Sequence, residues 1–125
     1  MIRILTLFLA ACLLGSCAAP PPFILSLIGT NDVHGELIQK PDRGGLVTVS
    51  GYVNAVRKAR ENDGGAVLLI DAGDMWQGTL ESNLTEGASI VAAYNAMEYT
   101  AAAVGNHEFD FGPAGPAPIP LWRGS

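Results

Sequence analysis

The stretch "AVLLIDAGD" (residues 66–74) decides how this chain is to be read. Five apolar residues, Ala66 to Ile70, run without a break and then stop at Asp71, with a glycine and a second carboxylate, Asp74, close behind. A short uninterrupted apolar run suits a strand covered on both faces, as in a parallel sheet. Two comparable runs lie on either side. "FILSLIGTND" (23–32) ends in the same abrupt way, and "AAAVGNHEFD" (101–110) is a weaker version dominated by alanine.

Helical patterns separate the three runs. Leu46, Val49, Val53 and Val56 recur at steps of three and four, which makes one apolar face. Arg57, Lys58 and Arg60 fall in the last turn of that helix, where cations suit the dipole, and "NDGG" (62–65) stops it. A second helix is expected over 86–98, with Ile90, Tyr94 and Met97 on one side and Thr85 as its N-cap. The order β-α-β-α-β predicts an α/β layered sheet joined by right-handed crossovers.

Composition agrees with a folded unit. The chain has 125 residues, 49% hydrophobic and 15% charged, with a net charge of −5. That is enough apolar material for a core. The acidic balance offers no electrostatic footprint for a nucleic-acid polymer. It fits either solvated surface carboxylates or carboxylates kept as metal ligands.

The ends read differently from the middle. Residues 1–17, "MIRILTLFLAACLLGSC", carry Arg3, an apolar run from Ile4 to Leu14 and a small-residue site, the pattern of a secretory signal. Leu14-Gly15-Ser16-Cys17 resembles a bacterial lipobox, which implies a lipid anchor at Cys17 and export to the periplasm or outer membrane. Ordinary cleavage after Ala18 is the alternative. Residues 18–23 form a proline-containing linker, and 24–112 carry the domain. In residues 113–125, prolines at 113, 116, 118 and 120 forbid a regular helix or a central strand. Three strands with this tail lead to the expectation of an incomplete, N-terminal portion of a domain. Cys12 lies in the signal and Cys17 at its end, so the remaining chain has neither a disulfide nor a thiolate ligand.

The chemistry gathers where the apolar runs stop. Ligands of parallel α/β sheets bind at the carboxyl ends of the strands. Those ends carry Asn31-Asp32-Val33-His34, Asp71-Ala72-Gly73-Asp74 and Gly105-Asn106-His107-Glu108. Asp32 and His34 are two residues apart and would point the same way in extended backbone. Gly73 and Gly105 allow tight turns. Oxygen and nitrogen donors of this kind suit two divalent ions from among Zn, Mn, Fe, Co and Mg. Taken singly, each residue also fits a turn cap or a solvated loop. Both histidines of the chain nonetheless stand at these ends.

"GTNDVHGEL" (29–37), "LLIDAGDMWQGT" (68–79) and "VGNHEFDFG" (104–112) together resemble successive motifs of the calcineurin-like metallophosphoesterases. The resemblance is strongest to the bacterial 5′-nucleotidase group, which also includes cyclic-nucleotide phosphodiesterases. It implies that Asp32 and His34 hold one metal, Asp74 bridges two, and Asn106 binds the second. It places His107 beside the phosphate, oriented by Asp110. Asp71 is expected to support its turn without ligating, and Glu108 to make a structural hydrogen bond at the third turn. The implied reaction is in-line hydrolysis of a nucleotide or another phosphate ester, with no phosphoenzyme.

Full-length members supply further ligands downstream, a lone His and then a Gly-His-x-His or Gly-His-x-Gln motif, and a separate nucleoside-gripping domain. Nothing after His107 matches these. A non-catalytic remnant that binds at most one metal is therefore the alternative reading. A thiosulfohydrolase built on the same motifs is another.

Overall fold

The computed structural model describes residues 19–112. The expected signal and lipobox with Cys17, and the proline-rich tail, lie outside the described residues. Within them the order is β1 (Leu25–Thr30), α1 (Gly45–Asp63), β2 (Ala66–Asp71), α2 (Leu80–Asn83), α3 (Ala88–Ala96), β3 (Ala101–Ala102) and a 3₁₀ turn at His107–Phe109. The three strands form one parallel sheet in the order β1-β2-β3. The chain is thus α/β, as the alternation of apolar runs and helical patterns predicts. β1 and β2 pair in register from Leu25 with Ala66 to Thr30 with Asp71. β3 adds only Ala101 and Ala102, beside Ile70 and Asp71. Its shortness follows from composition, since alanine and glycine bury little surface with which to hold a strand.

Helix α1 ends where "NDGG" foretells. Gly64 takes the left-handed conformation (φ 71°) and donates its N–H back to the Arg60 carbonyl. The basic residues of the last turn act differently from the expectation. Arg57 donates across to the carbonyls of Met97 and Glu98 at 2.7 and 3.2 Å, and so caps the end of α3. Arg60 pairs with Asp63 at 2.8 Å.

The second helical segment forms close to its expected bounds, as α3 within 86–98, with Gly87 in the left-handed conformation (φ 85°) at its N-cap; the short α2 precedes it, outside that range. Thr79 caps α2, its hydroxyl accepting the N–H of Ser82. Thr85 is not the N-cap, yet its hydroxyl accepts the N–H of Ser89 at 3.1 Å. Gly87 lies tight against Trp76: a Cβ there would run into the ring, and glycine has none.

Leu46 and Val53 of α1 and Ile90 and Tyr94 of α3, with Met97 at its end, bury together against Leu69 of β2, and Ile28 of β1 packs beside them. Both helices therefore lie on one face of the sheet. Two crossovers of like hand that advance the strand order in one direction have this consequence. The expectation that the strands are covered on both faces fails for β1. Leu25 and Leu27, which point away from the helices, are 57% and 64% exposed. Among the described residues no helix is long and apolar enough to cross a membrane.

Candidate metal centre

The parallel sheet brings its three strand ends to one edge, and backbone hydrogen bonds join them there. Asp32 N–H donates to the Gly73 carbonyl at 3.0 Å, His34 N–H to Asp74 at 3.0 Å and Gly35 N–H to Met75 at 2.8 Å. The first two turns are thereby zipped together beyond the strands. Asp32, His34 and Asp74 all take left-handed backbone, with φ of 50°, 47° and 60°. Non-glycine residues in that region are uncommon, and Asp and His are among the few that tolerate it. Here lies a correction. Asp32 and His34 do converge, with His34 Nε2 3.7 Å from Asp32 Oδ1, but through two left-handed residues and not through extended backbone.

The third turn is pressed against the second. A Cβ on Gly73 would come within 2.8 Å of Gly105 N, and one on Gly105 would overlap the Asp74 carboxylate. Glycine is needed here for close approach of two backbones, more than for turning. Asp74 Oδ1 accepts the backbone N–H of His107 at 3.0 Å. The Trp76 indole N–H donates to the His107 carbonyl at 3.1 Å.

His34, Asp74 and His107 offer one ligand atom each within 4.8 Å of one another, a spacing that suits a shared cation. The two imidazoles stand edge to face with centroids 5.1 Å apart. His34 Nδ1 lies 3.0 Å from the Gln77 carbonyl, which fixes Nδ1 as the protonated nitrogen and leaves Nε2 as a lone-pair donor. Asp32 stands beside His34, held also by Asn31 Nδ2. Asn106, exposed, joins Gly105 to the 3₁₀ turn on the same edge. His107 Nδ1 is 2.6 Å from Asp110 Oδ2. That hydrogen bond, with the charges of Asp110, Asp74 and Glu108 behind it, raises the imidazole above its usual 6.5.

Two buried carboxylates serve the turns and stay away from the ligand cluster. Asp71 Oδ1 accepts the N–H of Gly73 at 2.8 Å, and its Oδ2 accepts the hydroxyls of Thr30 and Tyr94 at 2.5 and 2.9 Å. Tyr99 extends this network to Thr30 at 2.9 Å and stacks on Tyr94 with centroids 3.9 Å apart. Burial, then the Asp71 bond, pushes the Tyr94 hydroxyl well above the ordinary tyrosine range, so it acts as a permanent donor. Glu108 accepts backbone N–H groups from both neighbouring turns.

Sequence reasoning missed Trp76, Gln77, Tyr94 and Tyr99 as parts of this edge. Trp76 and Gln77 stand in the quoted "DMWQGT", so their place in a polar motif was the available signal. Tyr94 read only as core, and Tyr99 had no reading.

No protein-family model matches the chain. Its sequence is 38% identical to human (Homo sapiens) 5′-nucleotidase over 102 residues, 73% of this chain and 17% of that protein. It is 36% identical to the bovine (Bos taurus) 5′-nucleotidase over 108 residues, 78% of this chain and 18% of the relative. It is 40% identical to the snake venom 5′-nucleotidase of Crotalus adamanteus over 99 residues, 74% and 17% of the respective lengths. The chain thus spans under a fifth of the length of these curated relatives. Over about three quarters of its own length it is similar to proteins named 5′-nucleotidase.

Proposed function

We propose that this chain carries part of a two-metal phosphoesterase site of the calcineurin-like kind, acting on nucleotides. The single observation behind the proposal is the convergence of His34, Asp74 and His107 from three separate strand ends onto one small volume. The donor set is imidazole and carboxylate without thiolate, and His34 has the tautomer a ligand needs; both fit a divalent ion. Asp32, His34, Asp74 and Asn106 would hold the ions in this reading. Bound, they would supply Lewis acidity towards a phosphoryl oxygen and lower the pKa of water.

The chain's own residues do the rest. Asp74, held by the His107 N–H and by the turn, presents its carboxylate between the first and third turns. His107, whose pKa the Asp110 bond raises, would face the phosphate and stabilise negative charge on the leaving oxygen. Kinship to proteins named 5′-nucleotidase supports a nucleotide phosphate ester as substrate. Export and a lipid anchor at Cys17 remain part of the proposal, supported by the pattern of residues 1–17.

Calorimetric titration of the metal-free chain with Mn²⁺ or Zn²⁺ tests this reading. Wild type is expected to bind, and Asp74→Ala to lose that binding. Equal affinities in the two proteins would refute it.

A further inference from the structure

The geometry points to Glu108 as the positioning residue that forms the metal centre before any ion arrives. This inference rests on the metal reading above and adds a residue outside the ligand set. Glu108 opens no face to solvent, being 6% exposed, and its carboxylate is saturated by backbone. Oε2 accepts the N–H of Asp74 at 2.9 Å and that of Gly105 at 2.5 Å, and Oε1 accepts the N–H of Met75 at 2.6 Å. Its donors are therefore the amide of one proposed ligand, the amide just after it and the amide just before Asn106. One side chain ties the second strand end to the third.

Carboxylates with several amide donors form strong, charge-assisted bonds. They are useful here for a specific reason. Asp74 sits at φ 60°, a conformation that disfavours residues with a Cβ. Without those amide bonds the 73–75 turn keeps its carbonyl bonds to the first turn, and the Asp74 carboxylate is freer to move away from His34. Capture of the Asp74 and Met75 amides by Glu108, and of the Gly73 amide by Asp71, occupies three successive N–H groups and holds the turn. The bond to Gly105 then draws in the chain that carries Asn106 and His107. A glutamate has the reach for this from the 3₁₀ turn. A glutamine would offer its N–H₂ to amides that can only donate.

The test compares wild type with Glu108→Gln as metal-free full chains. Each is titrated with Co²⁺ followed by its visible absorption, and each is melted without metal by circular dichroism. At a temperature where both are folded, Glu108→Gln is expected to bind Co²⁺ about 10- to 100-fold more weakly, with shifted bands. A merely structural role would lower the melting temperature and leave the affinity and spectrum of the folded protein unchanged; that result overturns the inference. A second measurement needs no variant. In metal-free wild type the amide protons of Asp74, Met75 and Gly105 are expected to exchange slowly. Exchange at the rate of open loop amides would overturn the inference too. Failure of wild type to bind Co²⁺ would instead refute the metal reading itself, a distinguishable outcome.

Discussion

At the scale of single residues, the site is built by pairing each functional side chain with a group that decides its proton or its direction. Gln77 does so for His34 through a carbonyl, and Asp110 does so for His107 through a carboxylate. The second pairing has a pH consequence. His107 has a raised pKa, so its stabilising contact with Asp110 is complete at acid pH and fades as pH rises through the raised value. Asp110→Asn removes the leading cause. Proton NMR of the metal-free chain should then show His107 titrating lower, towards the usual 6.5. An unchanged titration would mean that the 2.6 Å pair does not exist in solution.

At the scale of elements, β2 is the member on which both layers depend. Its Leu69 is fully buried between the helices, while Asp71 two residues on anchors the turn above it. Period-two alternation places both on the same face, so the strand that fills the core also delivers the carboxylate network. Tyr94 of α3 reaches that network from the opposite wall. Tyr94→Phe keeps the ring and deletes the donor. It should cost about 1–3 kcal/mol in denaturant unfolding, because the buried Asp71 loses a partner. It should also loosen the 73–75 turn, visible as faster amide exchange at Gly73. The short α2 was not legible beforehand, because its four residues are too few to show a helical period.

At the scale of the whole molecule, the sheet has, among the described residues, one covered face and one open face. The order β1-β2-β3 requires this arrangement once both crossovers have the same hand. A paired substitution distinguishes the faces. Leu69→Ala, on the covered side, should destabilise by about 2–5 kcal/mol through a cavity. Leu27→Lys, on the open side, should change stability by no more than about 0.5 kcal/mol. Chemical unfolding of the two variants checks both numbers, and a large loss for Leu27→Lys would show that this face is buried in solution.

Local pattern by itself determined the class of fold, the C-terminal end of α1 and the three strand ends where polar residues collect. These are properties of consecutive residues: an apolar run, a helical period, a glycine after the last turn. It also gathered Asp32, His34, Asp74, Asn106 and His107 at those ends, because polar groups clustered after buried strands need a use; their separate roles, and Asp110, came from the motif resemblance. Only the tertiary structure decided how they meet. The left-handed backbone at positions 32, 34 and 74, the contact of Gly73 with Gly105 and the grip of Glu108 on two turns all join residues more than thirty positions apart, or depend on such a joint. No local period encodes them, since a hydrogen bond between distant turns exists only after the sheet has placed those turns side by side.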